Sequence, residues 1–218
     1  MSDLVVAFFG ARGQGKSTQA KQYLALHRPA RLLVWDTMDE YQAHAERVGE
    51  LAAILARARA DRSFAMRYVP PAGSDAQLAA RFDAFCAIAY ELGELLLLVE
   101  ELQRVTKPSW APPAWSDCTL RGRHRGLSVF GLSQRPASVD KNFFTNCSTV
   151  STCRLNFSAD VACIAGVLGV ERDRIVALPR YRYIARDMTT GVVTEGATVP
   201  PEGAGAPRRR SRRRRKRA

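Results

Sequence analysis

The sequence predicts an α/β protein: a mainly parallel sheet with helices on both faces, followed by a disordered basic tail. Three observations predict it. Short apolar runs alternate with longer segments whose apolar residues recur at helical spacing. The run Leu95 to Val99 is unbroken and hydrophobic, as a strand covered on both faces requires. The first run, Leu4 to Phe9, leads into Gly10, Ala11, Arg12, Gly13, Gln14, Gly15, Lys16 and Ser17, the pattern G-x-x-x-x-G-K-[ST]. A strand, a glycine-rich turn and a helix start therefore follow one another.

Taken in order, the first strand and its turn are followed by a supporting helix from Thr18 to His27. Arg31 to Trp35 reads as a second buried strand ending at Asp36. A helix from about Gln42 to Ala60 follows, with Val48, Leu51, Ile54 and Leu55 on its apolar side. Phe64 to Val69 is the third strand, Pro70, Pro71 and Gly73 a turn, and Asp75 to Leu92 a helix burying Leu78, Phe82, Phe85 and Ile88. After the fourth strand, Leu95 to Val99, a connection through Pro108, Pro112 and Pro113 leads to a helix near Ala114 to Arg123. Leu127 to Leu132 is the fifth strand and ends at Ser133 and Gln134. Thr149 to Leu155 is another strand, Ser158 to Leu168 a helix, and Tyr181 to Arg186 with Val192 to Glu195 a closing hairpin around Thr190 and Gly191.

The bulk numbers bound the partners. The 218 residues, 46% apolar and 25% charged, suit one globular domain over 1–197 with an appendage over 198–218. The net charge of +12 is concentrated at the end: Arg208 to Ala218 hold nine of the 33 basic residues, leaving 24 against 21 acidic ones in the body. Pro, Gly and Ala dominate from Thr198 onward, which predicts disorder. No apolar stretch reaches the ~20 residues of a membrane helix, so the expectation is a soluble protein of the cytoplasm. Five cysteines without a C-x-x-C pair suit reduced thiols in a core, and His27, His44 and His124 share no metal-ligand spacing.

The chemistry starts at the glycine-rich turn. Dense phosphate charge needs a concave row of backbone N–H groups, glycines that allow close approach, and a helix N-terminus behind. Gly10 to Ser17, with Thr18, supply these; Lys16 would reach the β- and γ-phosphates and Ser17 would ligate Mg²⁺. Splitting a triphosphate also needs carboxylates beside the metal and the attacking water. Glu100 and Glu101, at the end of a strand read as the sheet neighbour of the first, supply that pair, Glu100 for the Mg²⁺ shell and Glu101 as general base. Gln134 ends the fifth strand with a polar group for the γ-phosphate or the water. Arg121, Arg123 and Arg125 form a basic cluster before that strand, which is read either as a solvated or DNA-facing helix end or as the source of an arginine finger for a neighbouring subunit. Asp36 either caps the next helix or approaches the nucleotide. Arg104, Lys107, Trp110 and Trp115 read either as a DNA-gripping loop or as a loop anchored by its tryptophans.

Together the octet Gly10 to Ser17, the strand Leu95 to Glu101, and Gly122 to Gly126 through Gln134, Arg135 and Pro136 resemble the FtsK–HerA superfamily of DNA-pumping ATPases. The resemblance spans roughly residues 4 to 186. It is strongest to the genome-packaging ATPases of tailless, internal-membrane, tectivirus-like viruses, with the Zot-like ATPases of filamentous phages as a second branch. It implies a RecA-like P-loop NTPase of the ASCE type that uses ATP and Mg²⁺, assembles as a homo-oligomer in a hexameric ring, and holds double-stranded DNA in its pore. It also implies that Lys16 and Ser17 are the nucleotide-loop residues, Glu101 the catalytic acid, Gln134 the sensing polar residue and Arg123 or Arg125 the finger acting in trans. One departure is visible: Glu100 stands where the family usually has aspartate. The expected function is ATP-driven packaging of viral DNA into a preformed capsid, with capsid or portal proteins as further partners. The alternatives are a Zot-like phage assembly ATPase, a DNA-binding NTPase that does not translocate, and a small-molecule kinase. The basic tail fits a sequence-independent hold on phosphates.

Overall fold

The computed structural model describes residues 4–199. Of the predicted tail, residues 200–218 lie outside the described residues, whereas Thr198 is buried and its N–H donates to the Tyr181 carbonyl at 2.8 Å, so disorder does not begin there. Among the described residues nine strands form one sheet: β1 (Val5–Phe9), β2 (Arg31–Trp35), β3 (Glu46–Val48), β4 (Phe64–Tyr68), β5 (Leu96–Val99), β6 (Ser128–Ser133), β7 (Thr149–Thr152), β8 (Arg182–Asp187) and β9 (Val193–Ala197). Their order is β3-β4-β2-β5-β6-β1-β7-β8-β9, parallel as far as β7, with β8 and β9 added antiparallel at one edge. The helices are α1 (Lys16–His27), α2 (Leu51–Ala60), α3 (Asp75–Leu92), α4 (Pro113–Leu120), α5 (Lys141–Asn146), α6 (Ser158–Leu168) and α7 (Arg172–Val176).

The alternation of side chains along β5 shows why both faces need cover. Leu97 and Val99 enter a core shared with α2, α3, α4, α5 and α6, whereas Leu96 and Leu98 enter a second core under α1. Every β5 side chain is fully buried, which accounts for its continuous apolar sequence. Helix α3 is fixed at its start by reciprocal bonds: the Gln77 N–H donates to Ser74 Oγ at 3.3 Å, and the Ser74 N–H donates to Gln77 Oε1 at 2.9 Å.

Two sequence expectations are corrected here. The segment 42–60 is not one helix: it makes a turn, adds the short strand β3 at the sheet edge, and becomes helical from Leu51. Tertiary bonds override its periodicity, because Asp36 accepts the N–H groups of Glu40 and Tyr41 at 2.9 and 3.0 Å, and Arg67 Nε donates to the Ala45 carbonyl at 3.1 Å. Nor is β5 the sheet neighbour of β1, since β6 lies between them. In smaller differences, helix α4 stops at Leu120, before a 3₁₀ turn over Gly122–Arg125, and β7 stops at Thr152 rather than Leu155.

Candidate active site

β1, β5 and β6 run parallel, so their carboxyl ends open on one edge of the sheet, and each hands its next residues to the same cleft. That cleft has a volume of about 320 Å³ and is lined by the phosphate-loop residues Arg12, Gly13 and Gly15 to Thr18, by Glu100 and Glu101 from β5, and by Gln134 from β6. Lys21, Met38, Glu40 and Tyr181 complete the wall.

The loop turns sharply into α1 at Gly15, whose φ is 116°, a left-handed conformation that L side chains avoid. A Cβ there would also stand 3.1 Å from both the Thr198 hydroxyl and the Tyr181 ring. The carboxyl-terminal hairpin thus braces the loop from outside. The Tyr181 N–H donates to the Gln14 carbonyl at 3.0 Å, and Arg180 Nε donates to the Gly13 carbonyl at 2.9 Å.

Glu101 is buried and adopts a left-handed backbone (φ 54°, ψ 46°), a strain of roughly 1–2 kcal/mol for a residue with a Cβ. Its carboxylate gathers three partners: Lys16 Nζ at 3.8 Å, Gln134 Nε2 donating at 2.6 Å, and the Gln103 amide. Gln103 in turn accepts from the Ser133 hydroxyl at 2.6 Å, tying the strand ends of β5 and β6 together. Glu100 points elsewhere: it accepts from Tyr41 Oη at 2.6 Å and from the Ser17 hydroxyl. Burial pushes the Glu100 carboxyl up from the usual carboxylate range, against the pull of Lys16 and these two hydroxyls.

Ser17 and Glu100 place two hard oxygen donors side by side at the phosphate loop, and among the described residues no cluster of three or more His, Cys, Asp or Glu side chains forms a separate cage. This suits Mg²⁺, which binds through one or two protein oxygens and completes its shell with water and substrate phosphates.

The structure therefore brings together Lys16, Ser17, Glu100, Glu101 and Gln134. It does not bring Arg121, Arg123 or Arg125 to the cleft of their own chain, because they precede β6 and sit at the opposite edge of the sheet. Both Arg123 and Arg125 are exposed, but Arg125 is fastened by donating to the carbonyls of Tyr90 and Glu91 at 3.2 and 2.5 Å, whereas Arg123 donates to the adjacent His124 Nε2 at 3.3 Å. Asp36 does not line the cleft; it caps the turn after β2. Trp115 is an anchor, packed between Phe82 and Phe143, while Trp110 remains 46% exposed. Tyr41, Gln103 and Tyr181 are not site residues in the sequence reading, as no motif marks Tyr41 or Gln103 and Tyr181 reads there only as the start of the closing hairpin.

No protein-family model matches the chain. Among curated proteins it is 26% identical over 151 residues to Protein P9 of Pseudoalteromonas phage PM2, a match spanning 64% of this chain and 63% of that protein. Among solved structures it superposes on the genome-packaging NTPase B204 of Sulfolobus turreted icosahedral virus 2 bound to AMPPCP, with a TM-score of 0.73, at 16% identity, over 92% of this chain and all of that one. The chain has the RecA-like P-loop NTPase fold. VirB4 of Thermoanaerobacter pseudethanolicus shares the fold with a TM-score of 0.69 at 12% identity, covering 90% of each chain. The resemblance therefore holds in three dimensions at the level of the fold. No helix among the described residues is long and apolar enough to cross a membrane.

Proposed function

We propose that this P-loop NTPase hydrolyses ATP to drive viral double-stranded DNA into a preformed capsid, acting as a ring of identical subunits. The observation that carries the reading is the meeting of Lys16, Glu101 and Gln134 at the mouth of the phosphate loop, in a fold shared with a packaging NTPase. Backbone N–H groups of Gly13 to Ser17 and the start of α1 would hold the phosphates, with Lys16 neutralising the β- and γ-oxygens. Ser17 and Glu100 would hold Mg²⁺, which supplies charge neutralisation on the phosphates. Glu101 would accept the proton of the attacking water, once the bound γ-phosphate draws Lys16 away from it, and Gln134 would orient that water.

Arg123, which lies at the far edge of the sheet and donates to the neighbouring His124 ring, is the better placed of the two finger candidates, because Arg125 is committed to two carbonyls in the last turn of α3. A finger from that edge reaches a nucleotide only in a neighbouring subunit, which is the reason a ring belongs to the proposal. Mixing Arg123→Ala subunits with Lys16→Ala subunits should restore part of the activity; no restoration in any mixture removes the trans finger. The decisive experiment measures ATP turnover against added duplex DNA, with particle mass determined in the same buffer. Turnover stimulated by duplex in a multi-subunit particle is the expected result. Turnover indifferent to DNA would leave an NTPase without translocation.

A further inference from the structure

A glutamate side chain has one more rotatable bond than an aspartate, so Glu100 needs more restraint before its carboxylate can meet a cation at a fixed distance. Tyr41 supplies it. The tyrosine is fully buried, and its hydroxyl donates to Glu100 Oε1 at 2.6 Å. Its own backbone N–H is held by Asp36, which is also fully buried. Arg67, on β4, donates to Asp36 Oδ2 at 3.2 Å and to the Ala45 carbonyl at 3.1 Å, so the turn carrying the phenol is clasped from both ends. Lys21 from α1 lies 4.8 Å from the centre of the Tyr41 ring. The phenol thus reaches Glu100 on a preformed support drawn from β2, β4 and α1.

We propose that Tyr41 is a positioning residue that engages Glu100 Oε1 and leaves Oε2 free to hold, with Ser17, a divalent cation bound to nucleotide phosphates. The inference rests on the nucleotide reading above. Partners that orient a metal ligand typically govern ten- to a hundredfold in metal affinity.

The test uses the full chain and Mn²⁺ as the probe. Free Mn²⁺ is followed by electron paramagnetic resonance in the presence of ADP, and ADP affinity is measured separately in EDTA. Tyr41→Phe, which keeps the buried ring, should weaken Mn²⁺ binding about tenfold while leaving metal-free ADP affinity unchanged. Glu100→Asp, too short to reach the phenol, should remove the coupling, so that adding Tyr41→Phe to it changes Mn²⁺ affinity less than about twofold. Equal Mn²⁺ affinity in wild type and Tyr41→Phe overturns the proposal, and so does a parallel loss of metal-free ADP binding or full multiplication of the two effects. A wild-type chain that binds ADP neither with nor without Mn²⁺ overturns the nucleotide reading itself, and this inference with it.

Discussion

At the scale of single residues, the Lys16–Glu101 pair ties binding to chemistry, because the cation that would hold phosphate also holds the acid in place. Lys16→Ala should reduce nucleotide affinity by at least about tenfold, the worth of a bond to a charged group, measured by calorimetry with ATP. Glu101→Gln keeps the shape and the bond from Lys16 but cannot take a proton; it should bind ATP normally and turn it over roughly 10² to 10⁴ times more slowly. Undiminished turnover would remove Glu101 from the role of base. The thiols offer a pH test. Burial pushes Cys153 up to about 12 and Cys147 higher still, whereas Cys163 is only partly buried. A thiol with a raised value stays protonated and unreactive until the pH approaches that value. At about pH 8 iodoacetamide should therefore label native Cys163 well ahead of the other four, and label all five once urea unfolds the chain. Early labelling of Cys153, read by mass spectrometry, would contradict its buried place beside the phosphate loop. The acids and the loop were legible in the sequence because each ends an apolar run or sits inside a fixed pattern. Tyr41, Gln103 and Tyr181 were not, since what brings them to the cleft is packing between segments far apart in the chain.

At the scale of elements, β6 is tied to the helices that cover it. Gly131 lies so close to the ring of Phe143, on α5, that a Cβ would meet Cζ at 2.5 Å and Leu102 Cδ2 at 3.1 Å. Gly131→Ala should cost about 1–3 kcal/mol of overpacking, read as a lower urea midpoint, and disturb the strand that delivers Gln134. Ser74→Ala removes the reciprocal cap of α3 and should cost about 1 kcal/mol with no effect on nucleotide affinity. The elements that sequence reading placed residue for residue are β2, α3 and α6, where a buried run or a strong apolar stripe agrees with the packing. The turn and strand at 42–48 were hidden because Asp36 and Arg67 impose them from outside the segment. Helices α5 and α7, of six and five residues, are too short to show a helical period.

At the scale of the molecule, the strand order places the acid-bearing strand two positions from the phosphate-loop strand, a spacing that no linear pattern discloses. The basic segment Arg208 to Ala218 lies outside the described residues, yet its nine positive charges have a measurable consequence if they meet DNA. Removing it should flatten the dependence of log affinity on log salt by up to about eight units, at ~0.9 per phosphate contact, in a duplex titration by fluorescence anisotropy. An unchanged slope would assign the tail another role. β1 has its own large-scale consequence: it is made before the other described strands, yet it lies between β6 and β7, with Val6 opposite Phe130 on one side and Thr149 on the other. At the usual 5–20 residues per second, the ribosome needs roughly 7 to 30 s to supply those partners. Until β6 is made the nascent chain carries the greasy stretch Val5 to Phe9 with both of its edges open, and until β7 is made with one edge open, a natural target for a chaperone during synthesis.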